Sequence, residues 1–265
     1  MNVNLEKIID EYCLFDDAFM RLCFKEKPEC VEFILKIILP QIDGLKITEI
    51  KPEYEIDNLV NHSVCLDAYA VDENGSLYDI VIQRASKDAS PKRLRYHGSL
   101  MDCNYLKKSK KYDTLPVRYV IFISENGYRC NGKPLRQFSN FADDDGEALG
   151  DETYFVYVNG RNKNDTALGK LMQDMSNPNP DTMNYKMLSD LVGYFKKKTK
   201  GKDDIMTTSE KIFNLGKEEG LKAGKISQLF DLTHKQIISA EIAAQQANMT
   251  EQEFCEQMKL AGYAD

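Results

Sequence analysis

Apolar residues recur at three- and four-residue spacing through the first forty positions, at Phe15, Phe19, Leu22, Cys23, Val31, Phe33, Ile34, Ile37 and Ile38. That period lines one face of a helix, and Pro28 splits the run into two helices. Pro40 and Gly44 mark a turn, after which the period shortens to two. Residues 46–50 alternate polar with apolar, and 63–71 form a short apolar strand. Asp72-Glu73-Asn74-Gly75, a sequence that closes a hairpin, leads into a returning strand at 77–83. The helical period comes back at 91–108, with Leu94, His97, Met101 and Tyr105 along one face. Residues 116–124 are nearly continuous apolar and β-branched, as in a strand buried on both sides. A further strand lies at 153–158, beyond an acidic loop running from Asp143 to Glu147.

These segments predict an α/β fold: a mixed sheet of 63–71, 77–83, 116–124 and 153–158, with the helix of about 91–109 crossing one face. Helical patterns follow at 168–175 and 187–198. From residue 210 the chain places Gly216, Gly220 and Gly224 at four-residue intervals in a charged segment. Glycine in a helix costs about 1 kcal/mol relative to alanine. The stripe therefore suits either close approach of a second helix, making 210–225 a surface for homo-oligomers, or a frayed linker. The tail at 237–258 reads as two short helices joined at 248–250, with Thr250 and Glu253 spaced as a capping box. The chain accordingly divides into a core at 1–160, a helical extension of it at 161–208, and a C-terminal helical region at 209–265 for assembly or docking.

Composition narrows the function classes. Hydrophobic residues make up 42% and charged residues 29%, the balance of an ordinary globular chain. No apolar run approaches the roughly 20 residues that a bilayer-spanning helix needs, so no membrane role is expected. With 35 basic and 42 acidic residues the net charge is −7, and any nucleic-acid surface must be a local patch. The amino end carries acids and lacks the basic-then-apolar pattern of an export signal. The seven cysteines contain no CxxC pair and read as reduced thiols of a cytoplasmic protein. Only His62, His97 and His234 are present, so a metal would have to sit on carboxylates.

Carboxylates do interrupt the strands. Asp67 sits inside 63–71, and Asp79 and Gln83 break the apolar pattern of 77–83. Strand side chains alternate, so Asp79, position 81 and Gln83 share a face. Polar groups on adjacent strands followed by a basic helix suggest a site, although spacing alone suits a half-exposed hairpin equally. On either reading that face is expected to be wet at position 81. From Lys92 to Arg118 the chain carries eight basic residues against Asp102 and Asp113. Lys92, Arg93, Arg95, Lys107 and Lys108 are the candidates for phosphate contacts, which position DNA without reading sequence. A solvated helix end is the alternative. The second basic run, Lys196 to Lys202, reads as a solvated linker.

Several motifs in order add a resemblance. Phe15-Asp16-Asp17-Ala18-Phe19, Ser63-Val-Cys-Leu-Asp67-Ala-Tyr-Ala, Tyr78-Asp-Ile-Val-Ile-Gln83, Arg93-Leu-Arg-Tyr96-His-Gly-Ser and Leu191-Val-Gly-Tyr194-Phe195 together resemble the PD-(D/E)XK nuclease family transposases, or recombination-promoting nucleases. The resemblance runs from about residue 10 to the C-terminus. It implies a restriction-endonuclease-like core with a helical C-terminal extension, Mg²⁺-dependent DNA cleavage and a role in mobile elements. In that family an Asp on one strand and a Glu on the next hold the metal, and here a Gln follows two residues beyond. Asp67 matches the first position and Gln83 the last, but the Glu position is Val81, whose isopropyl group binds no cation. Asp79 is the nearest substitute, though it lies about 6.6 Å along the strand from position 81. The resemblance thus assigns Asp67, Gln83 and Asp79 to catalysis, with Asp67 and Asp79 as the Mg²⁺ ligands. Three readings follow: a DNA-binding protein with weak or absent cleavage; an active endonuclease completed by Asp79, Asp16 or Asp17; and a non-enzymatic assembly protein. The acidic residues of 237–258, with no Lys or Arg among them, argue against phosphate binding there.

Overall fold

A computed structural model of the protein describes residues 10–25, 27–56, 64–84, 90–197, 224–235, 237–247 and 249–263. They fall into two compact units, Met1–Ile205 and Met206–Asp265.

In the first unit, helices α1 (Asp17–Phe24) and α2 (Pro28–Ile38) precede a hairpin of β1 (Ile47–Ile56), β2 (Val64–Asp72) and β3 (Leu77–Gln83). Helix α3 (Pro91–Tyr105) then crosses to β4 (Arg118–Ser124), and β5 (Leu135–Phe138) and β6 (Thr153–Asn159) complete the sheet before α4 (Ala167–Met175) and α5 (Lys186–Lys197). The six strands lie in the order β1-β2-β3-β4-β6-β5. β1, β2 and β3 are mutually antiparallel, β3, β4 and β6 run parallel, and β5 pairs antiparallel with β6 at the far edge. This is the mixed, helix-flanked sheet of a restriction-endonuclease-like α/β fold. Parallel neighbours need a crossover and burial on both faces, which accounts for the apolar runs of β3 and β4 and for the long helix between them.

Registration fixes which residues share a face. Tyr69, Asp79, Val120 and Phe155 align across four strands. One residue further along β3, Ile80, Ile121 and Val156 align on the opposite face. That opposite face also carries Tyr78, Tyr119 and Tyr154, whose rings stack at 5.4 and 4.8 Å between centroids. The Tyr78 hydroxyl donates to Asp72 Oδ2 at 2.8 Å, while Asp72 Oδ1 accepts from the Asn74 and Ser76 amides and so closes the hairpin.

Helix α3 starts at Ser90, whose hydroxyl accepts from the Lys92 amide, with Pro91 in the first helical position. It buries Leu94, His97, Gly98, Leu100 and Met101. Tyr105, expected on that face, is 44% exposed. Repeated four-residue steps drift around a helix of 3.6 residues per turn, and α3 ends there. Gly98 allows the helix to cross close to β4, because a Cβ at that position would fall 1.3 Å from Arg118 Nη1. Arg118 is itself buried, 3.1 Å through Nε from Asp102 Oδ1 and beside the Phe155 ring. Gly98→Ala must push that guanidinium out of a packed site. The expected loss is about 1–3 kcal/mol, as for overpacking elsewhere. A lower urea midpoint at unchanged slope would register it, and an unchanged midpoint would mean that Arg118 has room to move.

Two further helices fasten to this unit. Asp174 of α4 is fully buried and accepts from the Asn184 and Tyr185 amides, fixing the start of α5. Lys196, expected to be solvated, is instead buried and donates to the carbonyls of Asp10 and Pro178. Its long stem lies along apolar neighbours, with the ammonium 5.8 Å from the Phe19 ring centre.

The second unit contains a helical stretch at 224–234 and helices α6 (Ala240–Ala247) and α7 (Glu251–Leu260). Leu229, Phe230, Ala243, Ala244 and Phe254 form its core. The Thr250–Glu253 capping box is present at the start of α7. Of the 210–225 segment, only Gly224 and Lys225 fall among the described residues, so the self-association expected there lies outside them.

Candidate functional site

The sheet face beneath α3 carries Asp79 and Val81, two residues apart on β3. The β2–β3 pairing runs from Val71 and Leu77 to Ala68 and Ile80. Asp67 is the next residue of β2, and its side chain lies outside the described residues. Gln83 ends β3 on the face of Asp79 and Val81 and is partly exposed.

Val81 is 0% exposed, packed with Leu94 and Met101 of α3 and with Val120 and Phe122 of β4. The expectation of a wet face at this position is therefore corrected. Asp79 and Gln83 flank it on the strand, but α3 lies over the interval between them. Val81 serves as core.

Asp79 is fully buried, and its Oδ2 lies 2.8 Å from His97 Nδ1. One helical turn back, Arg93 Nε donates to His97 Nε2 at 3.3 Å. That bond makes Nε2 an acceptor, so the imidazole proton sits on Nδ1 and is donated to the carboxylate. Burial raises the Asp79 pKa, opposed first by the hydrogen bond from His97 and also by the nearby charge of Arg93. Asp79 Oδ1 has no hydrogen-bond partner among the described residues. The result is a three-residue chain from strand to helix. It fixes α3 on the sheet and sets the Arg93 guanidinium 5.8 Å from the Phe122 ring, the neighbour of Val81 on β4. Asp79 is thus occupied in holding a helix.

The remaining acidic candidates are placed as follows. Asp16 Oδ1 lies 2.8 Å from Arg84 Nη1, just past Gln83, and its Oδ2 accepts from the Cys13 amide. Asp17 is the first residue of α1. Among the described residues no group of three His, Cys, Asp or Glu side chains is gathered as a metal centre would need. Mg²⁺ asks for hard oxygen ligands in near-octahedral array. With Val81 in place of one carboxylate and Asp79 bound to His97, these residues do not make a two-carboxylate Mg²⁺ site.

The basic residues are not one patch. Lys92 and Arg95 are exposed at the start of α3, while Lys107, Lys108, Lys110 and Lys111 are exposed just beyond its end. Thirteen residues of helix rise from Lys92 to Tyr105, about 20 Å, and Lys107 lies two residues further on. Arg118, counted with the cluster from sequence, is buried against Asp102 and leaves it. The Lys107–Lys111 turn also surrounds a concave surface with Tyr112 and Asp113. Sequence reading had noticed Arg93 and His97 separately. Their four-residue spacing opposite an aspartate on the preceding strand was the available signal for the linked chain.

The mixed sheet with its crossover helix is that of the restriction-endonuclease-like α/β class. Residues 19–173 match the PD-(D/E)XK nuclease family transposases, and the chain belongs to that family. No curated protein and no solved structure matches it. Nucleases of this kind generally use divalent metals and act on DNA. No helix among the described residues is long and apolar enough to cross a membrane.

Proposed function

We propose that the protein is a DNA-binding member of this family, tied to transposition or recombination in the cytoplasm, whose cleavage is weak or absent. The observation that carries the reading is Val81, sealed among apolar side chains at the position where the family's motif has a Glu. Asp67 and Gln83 remain of the catalytic set, one carboxylate short of a Mg²⁺ grip. Lys92 and Arg95 at one end of α3, and Lys107 and Lys108 at the other, meet the phosphates. The helix rise of about 20 Å between them spans roughly three fifths of a 34 Å duplex turn. Arg93 lies between, held over Phe122.

Two measurements test this. Supercoiled plasmid incubated with Mg²⁺ or Mn²⁺ should stay closed, and efficient nicking would overturn the inactive part of the reading. Changing Lys92, Arg95, Lys107 and Lys108 together to Gln should weaken binding to unrelated duplexes equally. It should also flatten the dependence of log K on log salt by up to about 0.9 per lost contact. Unchanged affinity and slope would leave both helix ends as merely solvated.

A further inference from the structure

The face carrying Val81 continues across β4 to β6 and β5, alongside the first turn of α3. There it opens into a cavity of about 290 Å³. Phe138, Phe155 and Tyr157 line it, and Lys92, Arg95 and Arg129 stand around it. No carboxylate is among its lining residues, in a chain of net charge −7.

Each part of the lining points to the same ligand chemistry. Phe138 and Phe155 are only half-buried, so they present aromatic surface to the cavity, and Tyr157 is buried behind them. The rings of Phe138 and Tyr157 meet edge to face at 5.7 Å, which holds Phe138 in place. The Arg136 guanidinium braces it from 4.7 Å and donates to the Arg129 carbonyl at 3.0 Å. Arg129 is one of three non-glycine residues with positive φ among the described residues, at 62°. Left-handed backbone is strained for an L-residue, a strain that glycine escapes. Gly127 and Gly132 take that conformation nearby, yet position 129 keeps a long cation beside the cavity. Flat apolar surface within a ring of cations suits a flat aromatic ligand bearing negative charge. The volume lies near the lower end of small-molecule sites, about 300 Å³, enough for one nucleotide and too small for a peptide segment.

We propose that this cavity takes a single unpaired nucleobase of DNA. The base stacks on Phe138 and Phe155, and its phosphate meets Arg95, Arg129 and Lys92. Tyr157 is registered with Phe122, and Phe122 with Val81, so the cavity lies two strands from Val81. That is about 10 Å, or some three stacked nucleotides of one strand. A strand lying along the nuclease face therefore reaches the cavity within its own length. Stacking of this kind is tolerant of sequence and selects unpaired over paired bases.

The inference rests on the DNA-binding reading, and the test separates the two. Arg129→Gly with Phe138→Leu removes one cation and one stacking ring from the cavity and leaves the duplex contacts in place, since glycine accepts the backbone at 129. Fluorescence anisotropy would follow a labelled oligo-dT, a duplex with one unpaired thymine, and the same duplex fully paired. The double variant should lose about tenfold in affinity for the first two probes and less than about threefold for the third. An oligonucleotide carrying 5-iododeoxyuridine should photo-cross-link to the peptide holding Phe138 or to that holding Phe155. Equal losses on all three probes, or cross-links elsewhere, would overturn the cavity while leaving DNA binding intact. A parent protein that binds none of the probes would remove both.

Discussion

Val81→Glu is expected to melt well below the parent protein and to recover part of the loss only when Mg²⁺ is added. Position 81 is dry, so a carboxylate there gives up its hydration among Leu94, Met101, Val120 and Phe122. Arg93, over the neighbouring Phe122 ring, is already engaged with His97. An unsatisfied buried charge costs at least about 3 kcal/mol, or roughly 6–12 °C for a unit of this size. A metal bound by the native state alone offsets that cost by mass action. Val81→Gln, similar in shape and neutral, should lose stability without any Mg²⁺-dependent recovery. Melting curves with and without Mg²⁺, together with plasmid nicking, decide the matter. A Glu variant as stable as the parent in metal-free buffer would show that the face admits water. One that ignores Mg²⁺ would show that the site has decayed beyond position 81.

The second large effect lies at His97. Its replacement by Ala leaves Asp79 charged and fully buried, a loss of about 3–5 kcal/mol by comparison with other broken buried pairs. The penalty should depend on pH. Burial already raises the Asp79 pKa, and His97 is first among the influences holding it down. Without the imidazole it rises further, so the native variant takes up a proton at a pH where the unfolded chain has none. Uptake by the native state stabilises it as pH falls. The variant's deficit relative to the parent should therefore be full at pH 8 and shrink through the acidic range as Asp79 is neutralised. Asp79→Asn with His97→Ala should abolish that pH dependence. Urea midpoints across pH measure it, and a deficit constant from pH 5 to pH 8 would mean that Asp79 takes up no proton in that range.

The four apolar strands were legible because burial on both sides or alternation writes itself into composition. Val64–Asp72, Leu77–Gln83, Arg118–Ser124 and Thr153–Asn159 each fall within two residues of the pattern. β5 was not legible, since Leu-Arg-Gln-Phe offers two apolar residues and no period. β1 runs through Pro52 to Ile56, further than its alternation at 46–50 suggested. Alternation also put Asp79, Val81 and Gln83 on one face. The dryness of that face was hidden, because it depends on where α3 lies. The charge cluster misled for a related reason. Residues contiguous in sequence were divided by a helix length, and Arg118 was drawn inward by Gly98 and Asp102, which are one turn apart on α3.

Both borders of the sheet are poor templates for further strands. β5 has four residues, too few for a long intermolecular ladder. β1 has ten, but its Ile-Thr-Glu-Ile-Lys-Pro-Glu-Tyr-Glu-Ile sequence sets a proline, which has no amide to donate, among four charged side chains. A chain that would add itself alongside β1 meets a missing donor at Pro52 and a charge on either side of it. Two copies of the chain brought together are thereby discouraged from joining edge to edge into a continuous β-structure.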